Sequence, residues 1–401
     1  MVRPGGGGRA VGAGQRRAAA RLRAAQRPRQ PLAGPDHARP HPAVPRRRDG
    51  ARRRRRLAGR RVEPVTRRLG IVLVNWNRWA DTIECLESVL RAGTKVHIVV
   101  VDNASADGSL DRIAEWAAGG LPAQPADPDM ARFSQPPVAK PIKVIRLDAA
   151  TAAATPPADV DVTLIDSGGN LGFAGGNNVG LRHLLLDPRV DYFWLLNNDT
   201  VIDPRAPAAL IQRLDATHRV GMCGTMVRYY HRPTHIQALG GSVFSMWTGQ
   251  SRGLGFNQPA SMPFDPALIA RQTDFVLGAS LAVSRGFLET VGLMEESYFL
   301  YFEEIDWAVR GRGRFVTAFA HAAVVYHKEG GSIGSSGTAG GRSAMSEYYM
   351  LRARHGFIKR HRPWLLPVHG ALSLALIARR LLRGNRVQAA AMLRALTGRP
   401  Y

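Results

Sequence analysis

The sequence predicts an α/β protein with a mainly parallel sheet, and two features carry this prediction. From residue 69 onward, short β-branched runs such as "GIVLVNWN" and "KVHIVVVDNAS" alternate with segments whose apolar residues recur at helical spacing. Strands that alternate with helices in this way are joined by right-handed crossovers and pair in parallel. The strand-like runs also end in Asn or Asp, which is typical of strands that lead into functional loops.

The first helices and strands are assigned in chain order. The segment "ADTIECLESVLRAG" is predicted to be a helix that starts near Asp81 and ends at Gly93, with Ile83 and Leu86 on its apolar face. "DGSLDRIAEWAAGG" is predicted to be the next helix. Residues 119–161 are rich in Pro, Ala and Gln and are predicted to be an insertion or long loop around one strand, "IKVIRLD".

The second half of the chain continues the alternation. "VTLIDSGGNLGFAGGNNVGLRHLLLD" is predicted to be a strand, a Gly/Asn-rich loop and a helix, and "VDYFWLLNNDTVIDP" a strand that breaks into an acidic turn. A helix is expected near residues 205–217, followed by a Gly/aromatic stretch to about residue 265. "TDFVLGASLAVSRGFLETVG" is predicted to be a strand and a helix. Residues 356–401 are predicted to form a helical C-terminal segment.

The apolar part of this C-terminal segment has two alternative roles. "PWLLPVHGALSLALIARRLLRG" contains an apolar run of about 15 residues, which is short for a bilayer span. A basic flank follows the run, so an amphipathic helix lying on a membrane surface is one interpretation. A helix packed on the domain is the other, and both remain open.

The net charge of +24 is concentrated at the N-terminus. Residues 1–68 contain 21 Arg, no Lys and three acids, a net charge of +18, which leaves +6 for the other 333 residues. With few large apolar residues, this segment is predicted to be a disordered basic tail. The favoured interpretation is a start codon assigned too early. A basic arm for RNA or anionic lipid and a targeting peptide are the alternatives, and the targeting peptide lacks its apolar stretch.

Cysteine content and hydropathy bound the location of the protein. Cys85 and Cys223 have no metal-spaced Cys or His neighbours, which disfavours a zinc site and a disulfide scaffold and fits a reducing cytoplasm. No run of 18 or more apolar residues is present, so no transmembrane helix is predicted.

Polar side chains follow four of the predicted strands at the point where each strand ends. They are Asn75 and Asn77, Asp102 and Asn103, Asn170, and the group Asn197, Asn198 and Asp199. Because the carboxyl ends of parallel strands meet at one edge of a sheet, we predict that these side chains line a shared polar cleft. Four independent turns with the same chemistry are the alternative.

Two further patterns suggest how this cleft binds an anion. "GNLGFAGGNNVG" supplies Gly172, Gly175 and Gly176 before a helix, where close backbone approach and the helix N-terminus favour a phosphate. It lacks the dinucleotide and P-loop registers. Asp199 is either a turn residue or, beside a diphosphate, a ligand of Mg²⁺ or Mn²⁺. His327 ends another strand-like run and is either a structural hydrogen bonder or a second ligand.

An acidic cluster lies among aromatic residues in "YFLYFEEIDWAVRGR", residues 298–312. Burial of unpaired acids is costly, so Glu303, Glu304 and Asp306 indicate either catalysis or a helix start held by ion pairs. Arg310, four residues after Asp306, is the candidate structural partner. An aromatic setting raises the pKa of a carboxyl, which suits a base near neutral pH. One of these three acids is therefore a candidate general base.

Taken together, "LVNWN", "VVDNASADGS", "GNLGFAGGNNVG", "LLNNDT" and "FEEIDWAVR" resemble family 2 inverting glycosyltransferases, and among them the rhamnosyltransferase-like subgroup. The resemblance covers roughly residues 69–354. It implies the GT-A fold, a nucleotide-diphospho-sugar transferase-like mixed, mainly parallel sheet flanked by helices, here with a helical C-terminal extension. The glycosyltransferase domain would occupy residues 69–355. A nucleotide-diphospho-sugar donor and a divalent cation, Mg²⁺ or Mn²⁺, are implied with it.

The resemblance also implies roles for individual residues. Those expected to bind the nucleotide sugar are Asn75, Asn77, Asp102, Asn103, Asn170, Gly172, Asn177 and Asn198. Asp199 stands at the last acid of the family's metal-binding element, and His327 at its later metal-binding histidine. Two departures stand out. The metal element has one acid instead of two, and Glu303-Glu304 stands where the family usually has its catalytic Glu-Asp pair. The resemblance therefore implies Glu304 as the base, and we predict Asp306 as the runner-up and Glu303 in a supporting role.

The predicted function is the transfer of a sugar from dTDP-rhamnose or a UDP-hexose, with inversion, to a hydroxyl of a saccharide or lipid-linked acceptor. This would serve cell-surface polysaccharide synthesis, at the cytoplasmic face of the inner membrane. A sugar-phosphate nucleotidyltransferase is one alternative, but "NWNRWADT" lacks its Gly-rich basic signature after the first strand. A nucleic-acid binder that uses the Arg-rich tail is the other, although no nucleic-acid partner is expected.

Overall fold

The structure is a computed structural model that describes residues 68–329 and 342–401. The predicted basic tail therefore lies outside the described residues, apart from its last position. In the first half of the described chain, helices and strands alternate as follows: β1 (Arg68–Asn75), α1 (Trp79–Leu90), β2 (Val96–Asp102), α2 (Ser109–Ala118), a 3₁₀ turn (Pro128–Phe133), β3 (Val144–Asp148), α3 (Ala149–Ala154), β4 (Val162–Asp166), α4 (Gly172–Leu185), β5 (Val190–Leu196), β6 (Thr200–Ile202) and α5 (Ala206–Asp215).

The second half adds the remaining strands before the chain becomes helical. Its elements are β7 (Val220–Tyr229), β8 (Ile236–Leu239), β9 (Gly241–Ser245), β10 (Gln250–Gly253), α6 (Pro266–Gln272), β11 (Phe275–Val276), β12 (Ser280–Ser284), α7 (Arg285–Val291), α8 (Glu303–Gly311), β13 (Val316–His327), α9 (Ala344–His361), α10 (Leu366–Leu382) and α11 (Arg386–Leu396). The Gly/aromatic stretch before residue 265 thus forms strands that the sequence did not predict.

The main sheet is mixed and mainly parallel, as predicted. Its strand order is β3-β4-β2-β1-β5-β12-β7-β13-β6, with β8 paired to β7. The first five strands are parallel, and β12 runs antiparallel to both its neighbours. Asn75 is level with Asp102, and Asp102 with Asp166. The carboxyl ends of β1, β2 and β4 therefore meet at one edge, as the cleft prediction requires.

The alternation of side chains along β1 places the sheet between two helical layers. Ile71 belongs to the apolar cluster that contains Leu86 of α1 and Trp116 of α2. Val72 belongs to the cluster on the opposite face, with Leu184 of α4. Because successive strand residues point to opposite faces, one buried strand contributes to both cores.

Helix α4 begins at Gly172, so most of the predicted Gly-rich loop is helical. A Cβ on Gly180 would lie 2.6 Å from the Val72 side chain of β1, and one on Gly176 would lie 2.9 Å from Asn103 and Val74. These glycines allow the helix to pack closely on β1 and β2. The sequence predicted close approach of a phosphate to this segment, whereas Gly176 and Gly180 are in close contact with the protein's own sheet.

The predicted insertion at residues 119–161 is joined to the domain by a buried acid. Glu87 of α1 accepts hydrogen bonds from Trp116 Nε1 at 2.9 Å, from the backbone N–H of Val138 at 2.8 Å and from Lys140 Nζ at 2.8 Å. The predicted strand becomes β3, which pairs with β4 at the edge of the main sheet. The composition of residues 119–161 did not indicate this attachment, because Glu87, which accepts hydrogen bonds from Val138 and Lys140 of the segment, lies upstream in α1.

The C-terminal segment is helical, as predicted, but its proposed boundary at 355/356 falls inside α9. Among the described residues, one helix is long and apolar enough to cross a membrane by length and composition: Pro363–Leu382, with a mean hydropathy of 1.4. The sequence estimate of a shorter apolar run is therefore corrected. It missed this length because it counted the run only as far as the arginines that follow it, whereas the helix continues past Arg379 and Arg380 to Leu382.

Candidate active site

A cavity of about 590 Å³ lies at the edge of the sheet where β1, β2 and β5 end. Its volume is within the range of small-molecule sites. Nine predicted site residues line it: Asn103, Asn170, Gly172, Asn177, Asn198, Asp199, Glu303, Glu304 and His327. They come from separate parts of the chain that the sheet topology brings together.

Asn75, Asn77 and Asp102 do not line this cavity; their side chains hold the strand ends in place. Asn75 Nδ2 donates to Asp102 Oδ1 at 2.6 Å, and Asn75 Oδ1 accepts from Thr82 Oγ1 at 2.8 Å. Asp102 also accepts hydrogen bonds from the backbone and hydroxyl of Ser105. Asn77 Oδ1 accepts from the backbone N–H of Ala106, in the loop after β2, at 2.7 Å. In this structure these residues shape the loops beside the cavity.

Gly172 positions the turn that leads to the acidic cluster. It has a positive φ of 69°, and a Cβ on it would lie 2.2 Å from the carbonyl oxygen of Phe299. Phe299, Tyr301 and Phe302 also have positive φ values, between 61° and 70°. Aromatic residues rarely adopt this conformation, so the turn depends on surrounding contacts. One such contact is the Phe173 N–H, which donates to the Phe299 carbonyl at 3.0 Å.

The amides around Gly172 complete this part of the wall. Asn103 Nδ2 donates to the Gly172 carbonyl at 2.9 Å, and Asn170 Oδ1 accepts from the Gly172 N–H at 3.1 Å. Asn177 Nδ2 donates to the Phe173 carbonyl at 2.9 Å. Asn103 Oδ1 is buried without a hydrogen-bond partner and lies at the cavity. A buried orphan acceptor costs free energy, so this atom is available to a donor group of a ligand.

Asp199 and His327 face each other across the cavity wall. Asp199 Oδ1 lies 3.1 Å from His327 Nε2. The Nδ1 atom of His327 lies 2.9 Å from the Gln237 side-chain oxygen, so we assign the Nδ1 atom as the donor and leave Nε2 directed towards Asp199. Burial raises the pKa of Asp199, but the charge of the His327 ring outweighs this and leaves the pKa lowered. Burial lowers the pKa of His327, and Asp199 reverses this to a raised pKa.

The chemistry of this pair fits a divalent cation. Asp199 Oδ1 is buried and has no aligned hydrogen bond, despite its short distance to the ring. Carboxylate oxygen and imidazole nitrogen are both established metal ligands. The described residues contain no group of three or more His, Cys, Asp or Glu that could hold a metal. A cation here would thus need further ligands from a substrate, such as diphosphate oxygens, and from water.

A buried ion network supports this pair from behind. Lys328 donates its backbone N–H to the Asp199 carbonyl at 3.0 Å. Its Nζ lies 2.5 Å from Asp81 and 2.6 Å from Glu84, both on α1. Glu84 also accepts a hydrogen bond from the Tyr230 hydroxyl at 2.6 Å. The network ties α1 to the end of β13 and so fixes the backbone of the two metal candidates.

Glu303 and Glu304 begin α8 and both line the cavity. Glu303 is buried, and its Oε2 atom has no hydrogen-bond partner. Burial, reinforced by the charge of Glu304, raises the pKa of Glu303 well above the ordinary carboxyl value. Burial raises the pKa of the half-buried Glu304 to about 7. Near neutral pH, Glu304 therefore exchanges its proton, which is the property of a general base.

Asp306, the predicted runner-up for the base, is not at the cavity. It is fully buried and accepts hydrogen bonds from Arg310 Nε and His361 Nε2, each at 2.7 Å, and from the Tyr298 hydroxyl at 3.2 Å. Burial raises its pKa, but His361 and Arg310 outweigh this effect and leave the pKa lowered. Its predicted catalytic role is corrected to a structural one, because its oxygens are already occupied by cations.

Several cavity residues were not predicted from the sequence. Gly278 lies so close to the base that a Cβ on it would be 2.1 Å from Glu304 Oε1. Phe299 stacks on Tyr349 of α9, with ring centroids 4.7 Å apart, and Trp76 and Tyr349 both line the cavity. The "LGAS" segment offered only a lone glycine as a signal. Tyr349 offered none, because its approach depends on how α9 packs.

The first part of the described chain matches a known protein family. Residues 70–126 match the family model described as "Glycosyl transferase family 2". This match, together with the mixed sheet, confirms the resemblance noted in the sequence and the predicted GT-A class. It covers β1, α1, β2 and α2, which carry the first two strand-end motifs.

Individual relatives are more distant. The chain is 27% identical over 165 residues to a low-salt glycan biosynthesis hexosyltransferase of Haloferax volcanii, covering 38% of this chain and 47% of that protein. It is 26% identical over 271 residues to the N-acetylglucosaminyl-diphospho-decaprenol L-rhamnosyltransferase of Mycobacterium tuberculosis, covering 62% of this chain and 87% of that protein. Thus the chain spans about half of the first relative and most of the second.

Solved structures give weaker similarity. A mannosyltransferase from Pyrobaculum calidifontis in complex with GDP-Man and Mn²⁺ has a TM-score of 0.44 and 14% identity, covering 82% of this chain and 86% of that one. Glucosyl-3-phosphoglycerate synthase from Mycobacterium tuberculosis with Mg²⁺ and UDP has a TM-score of 0.36 and 12% identity, covering 73% and 79%.

Glu303 and Asp306 both lie on α8, and the opposite shifts of their pKa values predict opposite effects on the free energy of unfolding. Glu303 has a folded pKa above its unfolded value, so it loses stability as pH rises towards that folded pKa. We expect Glu303→Gln to raise the free energy of unfolding at about pH 8 and to leave it unchanged near pH 4. Asp306 has a lowered pKa, so its contribution is present at neutral pH and lost in acid.

Asp306→Asn serves as the matched comparison in the same helix. It should lower the free energy of unfolding at about pH 8 by about 3 kcal/mol, because Arg310 then loses its buried partner. Urea denaturation of both variants at the two pH values measures these changes. Shifts of the same sign at pH 8 would contradict the assignment of one carboxyl with a raised pKa and one ion-paired carboxyl.

Proposed function

Because residues 70–126 match family 2 glycosyl transferases, we propose that this chain transfers a sugar from a nucleotide-diphospho-sugar to a hydroxyl of a saccharide or lipid-linked acceptor. Transfer inverts the anomeric carbon. The observation that carries the proposal is one cavity that holds both a candidate metal pair, Asp199 and His327, and a half-buried carboxyl, Glu304, whose pKa is near neutrality.

The donor binds at the strand-end side of the cavity. Asp199 and His327 hold a divalent cation, Mg²⁺ or Mn²⁺, which supplies charge neutralisation to the departing diphosphate when bound. The amides of Asn103 and Asn177 lie at the same wall and offer hydrogen-bonding groups to the donor. The donor is dTDP-rhamnose or a UDP-hexose; the L-rhamnosyltransferase name of the Mycobacterium relative favours the former.

Glu304 performs the proton transfer. Inverting transfer needs a carboxylate that takes the proton of the acceptor hydroxyl as the oxygen attacks the anomeric carbon. Glu304 is half-buried, so its carboxylate is less stabilised by water and is more basic than an exposed one. The raised pKa of the neighbouring Glu303 disfavours a second negative charge beside Glu304. The glutamate pair therefore performs the role of the Glu-Asp pair that is usual in the family.

The acceptor approaches past the aromatic side of the cavity. Phe299, Tyr301 and Tyr349 form this side, next to the two glutamates. Ring faces of this kind pack well against the apolar faces of sugars. The relative named for N-acetylglucosaminyl-diphospho-decaprenol supports a lipid-linked acceptor. We place the enzyme in cell-surface polysaccharide synthesis, in the cytoplasm at the inner face of the inner membrane.

The first test addresses the base. Glu304→Gln should lower kcat by about 100- to 10,000-fold, because no group then accepts the acceptor's proton. The dissociation constant of the donor should change little, since Gln preserves shape. In the wild type, kcat/KM should rise with pH around an apparent pKa of about 7, because the base works only when deprotonated. Initial rates of nucleotide release and donor calorimetry give both values; full activity of the variant would exclude Glu304.

The second test addresses the metal pair. Asp199→Ala should weaken donor binding in Mn²⁺ by about 100-fold, since a carboxylate ligand is lost. Asp203→Ala is the matched control, because Asp203 pairs with Arg205 3.0 Å away at the end of β6. Calorimetric titration of the donor with and without Mn²⁺ separates the two variants. A donor affinity in Asp199→Ala that keeps its Mn²⁺ dependence would contradict the role.

The third test addresses the positioning of the base. Gly278→Ala should lower kcat by at least about tenfold with little change in donor affinity, because the new methyl group displaces the Glu304 carboxylate. Gly286→Ala is the control: a Cβ there meets nothing within 4 Å, and its backbone is compatible with alanine. Steady-state kinetics of both variants, with melting temperatures to verify folding, provide the comparison. Equal kinetics would show that Glu304 does not need this space.

A further inference from the structure

Helix α10 buries mainly polar side chains and exposes apolar ones, which is the reverse of an ordinary surface helix. Its buried residues are His369, Ser373 and Ile377, spaced four apart on the side that faces the domain. His369 Nε2 lies 2.9 Å from the Met246 carbonyl, and Ser373 Oγ lies 2.9 Å from His355 Nε2. Surface helices normally bury an apolar stripe and expose a polar one. Two of the three buried residues here are polar, so apolar burial does not explain how the helix is used.

The opposite side of the helix is exposed and apolar. Trp364 is 66% exposed, Leu374 57% and Leu382 89%. The exposed large apolar residues of this stretch are Trp364, Val368, Leu372, Leu374, Leu381 and Leu382, which we call the apolar face. At about 100° per residue, Val368, Leu372, Leu374 and Leu382 lie about 100° or more from Ser373 around the helix, and Leu381 lies about 80° from it. A contiguous patch of this kind marks an interaction surface instead of scattered surface hydrophobics.

The charge around the apolar face has one sign. Residues 348–401 contain eleven Lys and Arg and no Asp or Glu. Arg362 precedes the helix, with its guanidinium 5.4 Å from the Trp364 ring, and Arg379, Arg383 and Arg386 follow at its other end. All four arginines are exposed. An apolar face framed by arginines, with an interfacial tryptophan, matches the surface of an anionic lipid bilayer.

We propose that the apolar face docks on an anionic membrane surface, with the helix lying in the plane of the headgroups. Leu and Val side chains enter the acyl boundary, and the arginines pair with lipid phosphates. Although Pro363–Leu382 is long enough to span, its buried polar contacts with α9 and with Met246 tie it to the domain. Spanning would require those contacts to be broken and His369 and Ser373 to enter hydrocarbon.

The position of the surface relates it to the active site. α10 packs on α9, and α9 also carries Tyr349 of the cavity wall. Docking would therefore hold the aromatic side of the cavity close to a membrane-embedded acceptor. This use rests on the proposed function, whereas lipid binding itself is measured without any transfer reaction.

The test compares variants of the full chain on vesicles. Leu372→Ser/Leu374→Ser/Leu382→Ser removes part of the apolar face from exposed positions, so folding is preserved. Phe256→Ser/Leu268→Ser is the matched control, since both residues are exposed apolar side chains elsewhere. Sedimentation with vesicles of phosphatidylcholine, with and without phosphatidylglycerol, measures partitioning. The triple variant should bind vesicles that contain phosphatidylglycerol at least about tenfold more weakly, because each large apolar side chain withdrawn from the bilayer accounts for roughly tenfold.

Charge variants separate this surface from the rest of the chain. Arg379→Gln/Arg383→Gln/Arg386→Gln should weaken binding to vesicles with phosphatidylglycerol and leave the weak binding to phosphatidylcholine alone unchanged. Unchanged binding of both triple variants would overturn the proposal and assign lipid binding to the Arg-rich residues 1–68. If alkaline carbonate fails to extract the wild-type protein from membranes, the docking proposal is also overturned, because a helix that spans the bilayer would then be indicated.

Two further outcomes are distinguished by measurement of size and turnover. A wild-type dimer by light scattering that the apolar-face variant converts to a monomer, with no lipid binding by either, would mean that a second copy covers this face. If no nucleotide sugar is turned over while lipid binding persists and depends on the apolar face, the proposed function fails and the membrane surface stands.

Discussion

The candidate site depends on two carboxyl groups that are held side by side at the wall of one cavity. Glu303 and Glu304 begin α8, and burial raises the pKa of both. Desolvating an acid is unfavourable, so the fold must hold these groups against a tendency to move into water. It does so with the left-handed turn at Phe299–Phe302, which fits against Gly172, and with the space left by Gly278. The strained backbone at Phe299–Phe302 therefore directly precedes the two carboxyl groups whose pKa values are raised.

Helical periodicity then separates the functions of three neighbouring acids. Asp306 lies on the face of α8 that meets α9, where Arg310 and His361 satisfy it. Glu303 and Glu304 lie at the cavity. Asp306 stabilises the helix as an ion pair, Glu303 has a pKa well above the ordinary carboxyl value, and Glu304 has a pKa of about 7. The neighbouring cations distinguish Asp306 from the two glutamates, and only Glu304 combines partial exposure at the cavity with a pKa of about 7, which is why we propose it as the base.

The two ends of the described chain are held in place by different kinds of contact. Buried ions on α1 fix the candidate metal pair through Lys328, and polar contacts fix α10 to the domain while its apolar side is left exposed. In both cases buried polar contacts fix one side of the element, and its other side, the cavity wall or the apolar face, can contact a ligand. The proposed transfer to a lipid-linked acceptor would use both: Asp199 and His327 fixed on the donor side of the cavity, and α10 docked on the membrane as we propose.

The sequence by itself determined the class of the fold, because strand and helix periodicities are local properties of β1, α1, β2 and their successors. It also indicated nine residues of the cavity wall, since Asn103, Asn170, Asp199 and others like them end strands or precede helices that a parallel sheet aligns. Only the tertiary structure decided what each acid does. Burial, cation distance and the space at Gly278 depend on residues far apart in the chain. For the same reason, the role of Glu87 in residues 119–161 and the exposure of α10 could not be read from composition.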